Sequence, residues 1–221
     1  MVVLNSHFYS ESKDILLLHY KIIKRGAEAD VFLIPWYQNI AISKLRNPKK
    51  YRNKILDDLI RGRRTIHEAN MLHSVKKTGI KTPFIYFLDP KRAEIIMEYI
   101  DGENVKDILS KEIGFEIGKC VSILHNNNII HGDLTTSNFI KHKQDLYLID
   151  FGLSFYSERI EDMATDIRII KEIFSSAHIH IFEETYKCFL KGYAEHTVNN
   201  FNRILKVVKD IETRGRYARV V

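Results

Sequence analysis

The sequence has few cysteines and no long apolar segment. Cys120 and Cys188 are its only cysteines, and two isolated thiols exclude a disulfide framework and a Cys-x-x-Cys metal site. No apolar run approaches the length of about 20 residues that a membrane-spanning helix requires. Residues 1–4 are apolar, but polar residues follow them too soon for a signal peptide. These absences predict a cytoplasmic protein with reduced thiols and no association with a membrane.

Internal repeats and low-complexity linkers are also absent, and the composition is that of an ordinary globular protein. Hydrophobic residues make up 45% of the chain, which is enough to bury a core. Lysine and arginine outnumber aspartate and glutamate by 34 to 28, which gives a formal net charge of +6. This excess is compatible with an anionic partner, although charge alone does not identify one.

The first hundred residues have the patterns of a sheet interrupted by one helix. Short apolar or β-branched runs bounded by turn residues predict five strands, at residues 20–24, 31–34, 40–45, 84–88 and 93–99. Between the third and fourth strands, residues 57–78 have helical spacing, and Gly79 stands where a helix would end. This part of the chain is therefore predicted to be a first lobe, residues 1–99.

The rest of the chain is predicted to be mainly helical. The predicted elements are helices at residues 105–109, 112–125 and from about 161 onward, with a hairpin over residues 139–149. In the second helix, Ile113, Ile117 and Val121 are spaced to form one buried stripe with Leu124. We therefore predict an α+β fold in a single domain, residues 1–221, whose second lobe is residues 100–221.

Two motifs in the second lobe have the composition of a catalytic site. Residues 131–138 read His-Gly-Asp-Leu-Thr-Thr-Ser-Asn, and residues 148–152 read Leu-Ile-Asp-Phe-Gly. Phosphoryl transfer needs a carboxylate beside the attacking hydroxyl or water, and oxygen ligands for Mg²⁺. Asp133 can supply the carboxylate, and Asn138 and Asp150 can supply the oxygen ligands. Each residue alone is compatible with a turn or a strand end, but together their order predicts catalysis.

These motifs resemble the signature of the protein-kinase superfamily. The resemblance extends to Lys44, where the family places its phosphate-binding lysine, and to Glu68, where it places the partner of that lysine. Met97-Glu98-Tyr99-Ile100 matches the hinge whose backbone binds adenine. The resemblance implies a minimal bilobal kinase-like fold with an antiparallel-sheet N-lobe, one long helix and a truncated helical C-lobe. It also implies ATP and Mg²⁺ as cofactors.

Departures from the kinase pattern narrow the resemblance. The glycine-rich loop is reduced to Gly26-Ala27-Glu28-Ala29-Asp30, in which one glycine remains and Glu28 places an acid close to the phosphates. The catalytic sequence is His-Gly-Asp instead of His-Arg-Asp, Thr135 replaces the usual lysine, and no Ala-Pro-Glu motif follows. The short chain after Asp150 predicts little capacity to hold protein substrates.

This combination resembles the small atypical kinase of the KEOPS complex, also called the PRPK family. The similar segments span about residues 22–216 and are residues 26–29, 44, 48–52, 61–65, 131–138, 150–154 and 214–216. The resemblance implies a cytosolic protein that acts with a threonylcarbamoyl-transferase subunit and other KEOPS subunits in making N6-threonylcarbamoyladenosine on tRNA. It also implies an ATPase that supports its partner, and a serine/threonine protein kinase that can phosphorylate itself.

Basic residues cluster at residues 44–54, at residues 61–64 and in the C-terminal tail, where the cations are Arg214, Arg216 and Arg219. Lysine and arginine neutralise phosphates and tyrosine stacks on bases, so these clusters are candidates for contact with RNA. A solvated basic face is an equally simple interpretation of any one cluster. The tail is alternatively a contact for the protein's own cleft or for its partner, with tRNA bound through the complex.

Three alternatives share parts of this pattern. A RIO-type kinase of ribosome assembly has the reduced loop and the short second lobe. A small-molecule kinase of the aminoglycoside or choline type has His-Gly-Asp followed by Asn, but normally carries a larger helical domain. A pseudokinase scaffold or RNA-binding module keeps the fold without the chemistry, and retention of all five catalytic positions argues against it. The histidines lack metal-ligand spacing, and His131 is expected to pack beneath its loop and bond the backbone near Asp150.

Overall fold

The computed structural model describes residues 21–217, and describes side chains as far as Arg214. These residues form two compact units. The first contains residues 21–66 and 84–99, and the second contains residues 67–83 and 100–217. The proposed single domain with a lobe boundary after Tyr99 remains a prediction.

A five-stranded antiparallel sheet forms most of the first unit. Its strands, in the order β1-β2-β3-β5-β4, are β1 Lys21–Arg25, β2 Ala29–Trp36, β3 Asn39–Arg46, β4 Ile85–Asp89 and β5 Glu94–Glu98. Because side chains alternate between the two faces of a strand, Ile34, Ala41 and Ile96 come together in a buried cluster on one face. Lys44 pairs with Val31 and with Ile95 in the register of the sheet.

Helix α1, Lys54–Lys77, begins three residues before the sequence prediction and ends close to it. The Asn53 side chain accepts hydrogen bonds from the amides of Ile55 and Leu56, which satisfies backbone donors of the first turn. At the other end Gly79 has a φ of +91°, the left-handed conformation that commonly terminates a helix. Lys76 and Lys77 in the last turn complement the helix dipole.

The second unit contains five further strands and five further helices among its described residues. They are β6 Glu103–Asn104, α2 Val105–Ile108, α3 Lys111–Asn126, β7 Ile129–Ile130, β8 Phe139–His142, β9 Asp145–Leu148, β10 Phe155–Tyr156, α4 Ile160–Ala177, α5 Phe182–His196 and α6 Phe201–Tyr217. The strands form a sheet in the order β6-β8-β9 and a two-stranded pair of β7 with β10. Strands β7 and β8 flank the His-Gly-Asp motif in the chain, and β9 and β10 flank the Asp-Phe-Gly motif.

Helices α3 and α5 cross at very short range because glycines lie where they meet. A Cβ atom added at Gly118 would stand 2.0 Å from the Phe189 carbonyl oxygen, and one added at Gly192 would stand 2.2 Å from the Phe115 carbonyl oxygen. The predicted stripe of α3 is buried, with Ile117 fully enclosed. We call this contact between α3 and α5, made where Gly118 and Gly192 lie, the glycine crossing.

The predicted α+β class, with an antiparallel first part and a mainly helical second part, is confirmed. Helix α4 begins at Ile160, so little chain separates it from the Asp-Phe-Gly motif, as expected. Over residues 21–217, no helix combines the length and the apolar character needed to cross a membrane.

Candidate active site

The His-Gly-Asp segment leaves β7 through a tight turn that requires glycine. Gly132 has a φ of +79°, and a Cβ atom there would lie 2.5 Å from the Leu153 carbonyl oxygen. Asp133 follows and is exposed, so its carboxylate is accessible to a substrate. Residues 131–138, which we call the catalytic loop, end in a 3₁₀ turn, Thr136–Asn138.

Asn138 is held by the backbone and side chain of Asp133. Its amide nitrogen donates to the Asp133 carbonyl oxygen at 2.8 Å and to the carboxylate oxygen Oδ2 at 3.3 Å. Asn138 is buried, with 6% of its surface exposed. Since its nitrogen faces Asp133, the amide oxygen is the atom that can serve as a ligand for a cation.

Asp150 lies next to Asn138 through the backbone. The amide of Ile149 donates to the Asn138 carbonyl oxygen at 2.9 Å, just before Asp150. Asp150 itself has a φ of +63°, an uncommon conformation for a residue other than glycine, and its carboxylate accepts from the Gly152 amide at 3.4 Å. The structure therefore brings together the two predicted metal ligands and Asp133.

His131 packs beneath the catalytic loop, as predicted. Its Nε2 faces the Ile149 carbonyl oxygen at 3.3 Å, and its Nδ1 accepts from the Asp133 amide at 3.3 Å. A carbonyl only accepts, so Nε2 carries the proton and the ring is neutral. Burial lowers the pKa of His131, against the opposing influence of Asp166 and the other nearby acids.

Asp166 fixes the backbone of the catalytic loop, a role that motif spacing did not identify. Its carboxylate accepts from the His131 amide at 2.7 Å and from the Gly132 amide at 2.9 Å. His125 Nε2 lies 3.4 Å from the same carboxylate, and His125 Nδ1 lies 2.8 Å from the Tyr193 hydroxyl. All three side chains are fully buried. An acid on the buried face of an amphipathic helix was the sequence signal for this buried network, His125–Asp166–Tyr193.

Two further side chains hold the far end of the catalytic loop. Asn104 donates to the Ser137 carbonyl oxygen at 2.9 Å. His178 has its Nε2 3.3 Å from the Thr136 hydroxyl. Burial lowers the pKa of His178, while Asp107 acts to raise it. The far end of the loop is thus held from the residue after α4 and from the residue before α2.

The residues predicted to contact ATP occupy several elements. Gly26–Asp30, which we call the nucleotide loop, runs from the end of β1 into the first two residues of β2, and Lys44 lies on β3. Glu68 is buried in α1. Met97 and Glu98 end β5 and Tyr99 follows in the first unit, whereas Ile100 belongs to the second. The pairing of Lys44 with Glu68 and the adenine contact of the hinge remain predictions.

The predicted tail contacts lie at the edge of the described structure. Arg214 is exposed on α6. Arg216 lies within the same helix, but its side chain is outside the described residues, as is the whole of Arg219. Contact of these residues with RNA or a partner therefore remains a prediction.

The donor set of the site suits Mg²⁺. The amide oxygen of Asn138 and the carboxylate of Asp150 are hard oxygen ligands from adjacent backbone segments, the kind that Mg²⁺ uses together with nucleotide phosphates. Within residues 21–217, no group of three or more histidine, cysteine, aspartate or glutamate side chains could hold a metal ion by itself.

Comparison with known families and proteins gives consistent results. The model of the protein kinase domain matches residues 20–174. The KEOPS complex subunit Bud32 of Pyrococcus abyssi is 37% identical over 211 residues, an alignment that covers 89% of this chain and 96% of that protein. A probable bifunctional tRNA threonylcarbamoyladenosine biosynthesis protein of Methanocaldococcus jannaschii is 42% identical over 198 residues. There the alignment covers 89% of this chain but 37% of the relative, so the chain spans little more than a third of that protein.

Solved structures share the fold at low sequence identity. The Rio2 kinase of Chaetomium thermophilum, in a complex with ADP, Mg²⁺ and phosphoaspartate, superposes with a TM-score of 0.62 at 14% identity. The superposition covers 90% of this chain and 72% of that one. This likeness concerns the fold alone.

Proposed function

Because this chain belongs to the protein kinase domain family and to the Bud32 family of KEOPS complex subunits, we propose that it is a Mg²⁺-dependent ATP phosphotransferase that supports threonylcarbamoyladenosine synthesis on tRNA. The proposed working reaction is ATP hydrolysis in the complex, and phosphorylation of serine or threonine is a second outcome of the same chemistry. The proposed partners are a threonylcarbamoyl-transferase subunit and the other KEOPS subunits, in the cytoplasm.

The arrangement of Asp133, Asn138 and Asp150 carries this proposal. Asp133 is exposed and its orientation is fixed by Asn138, so its carboxylate can accept the proton of an attacking water or hydroxyl. The neutral His131 supports the backbone of Asp133 and does not compete for that proton. Asp166 keeps the loop in one conformation through the amides of His131 and Gly132.

Asn138 and Asp150 would hold the metal, and Lys44, fixed by Glu68, would neutralise phosphate charge. When bound, Mg²⁺ would supply positive charge that stabilises the negative charge developing during phosphoryl transfer. The protein's contribution is to keep the Asn138 oxygen directed away from Asp133 and available to the cation. Asp133 remains on the side of the attacking group.

The proposal is tested by measuring Mg²⁺-dependent phosphate release by the purified chain, alone and with its threonylcarbamoyl-transferase partner. Asp133→Ala should lower turnover by about 10²–10⁴-fold, the usual contribution of a general base, while MgATP still raises the melting temperature. Asp150→Asn should instead weaken MgATP binding. Unchanged turnover in the first variant, or unchanged affinity in the second, would contradict these roles.

The partner dependence distinguishes the proposed complex from a free-standing kinase. Phosphate release that rises with the partner and is lost in Asp133→Ala supports an ATPase of the KEOPS type. Phosphate release at the same rate with and without the partner, or transfer of phosphate to an unrelated protein, favours a RIO-type kinase. If MgATP does not change the melting temperature, the protein is a scaffold.

A further inference from the structure

The nucleotide loop has one glycine, yet it forms a closed and heavily bonded turn. The Gly26 amide donates to the Ala29 carbonyl oxygen at 3.1 Å and faces the Asp30 carboxylate at 3.3 Å. A Cβ atom at Gly26 would lie 2.6 Å from that carbonyl oxygen, so a larger residue here would disturb the turn. Glycine-rich loops owe their shape to backbone freedom, whereas this loop is held by side chains.

The segment after β3 supplies the first of these side chains. Asn47 donates from its amide nitrogen to the Gly26 carbonyl oxygen at 3.2 Å and to the Asp30 carboxylate at 3.0 Å. Its backbone amide donates to the Glu28 carbonyl oxygen at 2.9 Å. Lys49 adds a bond from Nζ to the Ala27 carbonyl oxygen at 2.5 Å. The start, middle and end of the loop are therefore all fixed from one side.

Glu28, one of the two acids of the loop, is paired with two arginines. Arg64 on α1 donates to the Glu28 carboxylate at 2.7 Å, and Arg46 on β3 lies 3.6 Å from the same oxygen. Half of the Glu28 side chain is exposed, whereas Arg46 is 6% exposed. Glu28 therefore has a buried cation, Arg46, and a partly exposed cation, Arg64, within ion-pair distance.

Other cations nearby are engaged by different acids. Arg61 pairs with Asp57 at 2.8 Å and with Asp58 at 2.5 Å, and Arg52 lies 3.5 Å from Asp57. Arg46 and Arg64 are thus the described arginines within ion-pair distance of Glu28. An unneutralised carboxylate in this loop would repel the phosphates of a nucleotide, since like charges raise each other's energy.

We propose that Arg64, assisted by Arg46, is a positioning residue that neutralises Glu28 so that the nucleotide loop accepts phosphate groups. Asn47 and Lys49 hold the loop shape that glycines provide elsewhere. This inference rests on the proposed function, since it concerns the same nucleotide. The ion pair of Arg64 with Glu28 then contributes to recognition of the phosphates and not to recognition of the base.

The test compares the dissociation constants of MgATP, MgADP and adenosine, from ligand-dependent melting at low salt. Arg64→Ala should weaken MgATP and MgADP by about two- to fivefold, the effect of one exposed ion pair, and leave adenosine unchanged. Glu28→Gln in combination with Arg64→Ala should restore the affinity. Arg63→Ala removes the same charge from an exposed neighbour on α1 and serves as the matched control.

The outcomes separate this inference from the proposed function. If the unmodified protein does not bind MgATP, the proposed function fails. If the unmodified protein binds MgATP but Arg64→Ala and Arg63→Ala have the same affinity for it, the proposed role of Arg64 is wrong. The role is also wrong if the double variant does not regain the affinity of the unmodified protein. Equal loss of adenosine and MgATP would show a structural effect on the lobe and would also overturn it. At high salt the difference between the two arginine variants should shrink, because screening weakens exposed charges.

Discussion

Asp166 has no access to solvent, yet its carboxylate accepts from two amides of the catalytic loop and faces His125. Charge-assisted hydrogen bonds of this kind are stronger than neutral ones. The buried acid therefore compensates for its own desolvation by ordering the loop that carries Asp133. His125, which contacts the Tyr193 hydroxyl through Nδ1, is a further polar neighbour of the Asp166 carboxylate through Nε2.

Asp166→Asn should destabilise the protein by about 2–4 kcal/mol. The two loop amides donate to different oxygens of the Asp166 carboxylate, and asparagine replaces one of those oxygens with an NH₂ group, which leaves a buried donor unsatisfied. Tyr193→Phe is the matched control, since it removes one hydroxyl from the same network and should cost about 1 kcal/mol. Urea unfolding measures both. Equal values for the two variants would show that the carboxylate is not the centre of the network.

The lowered pKa of His131 should make stability depend on pH. Its ordinary pKa is 6.5, and burial lowers the value in the folded protein. As the pH falls below about 6.5, the unfolded chain takes up a proton that the folded chain resists, so the free energy of unfolding decreases. His131→Asn should reduce this slope, measured by urea unfolding between about pH 7.5 and 5.5.

The matched control for this titration is His73→Asn on the exposed side of α1. His73→Asn should retain the slope of the unmodified protein. If the pH dependence of stability persists in His131→Asn and disappears in His73→Asn, the prediction for His131 is wrong.

At the scale of secondary-structure elements, the glycine crossing governs how closely α3 and α5 pack. Gly118→Ala gains about 1 kcal/mol of helix propensity, but its Cβ meets the Phe189 carbonyl oxygen at 2.0 Å. The helices must separate, so we expect a net loss of about 1–3 kcal/mol. Lys119→Ala, at the exposed neighbouring position, should change stability by less than about 0.5 kcal/mol. A lower melting temperature for Gly118→Ala alone is the expected result.

The elements that the sequence predicted well are those with strong local signals. The end of α1 just before Gly79 follows from a terminating glycine. The buried stripe of α3 follows from regular apolar spacing. The two-residue strands β6, β7 and β10 were not predicted. Their pairing depends on residues far apart in sequence, such as Phe155 with Ile130, and two residues carry no periodicity.

At the scale of the whole molecule, motif order was sufficient to place Asp133, Asn138 and Asp150 in one catalytic candidate. The residues that hold them could not be found in the same way. Asp166 is positioned by helix packing, and the pairing of Arg64 with Glu28 joins residues 36 positions apart. Such partners depend on tertiary geometry, which leaves no fixed spacing in the sequence.

The basic tail offers a test of whether the protein contacts RNA. Deleting residues 214–221 should reduce tRNA modification by the assembled complex more than it reduces MgATP binding. If Arg214, Arg216 and Arg219 each meet a phosphate, the slope of tRNA affinity against salt should fall by about 3. Replacing Arg203, Lys206 and Lys209 on α6 with alanine removes three charges elsewhere and is the matched control. Equal losses of modification and nucleotide binding would contradict a specific role for the tail.

The left-handed backbone at Asp150 has an evolutionary consequence. Among residues other than glycine, asparagine and aspartate tolerate this conformation best. In a lineage that no longer needed catalysis, substitution of Asp150 by asparagine would remove the carboxylate and keep the backbone conformation. Most other side chains would strain the turn as well. A comparison of inactive descendants should find asparagine or glycine at this position more often than alanine, leucine or valine.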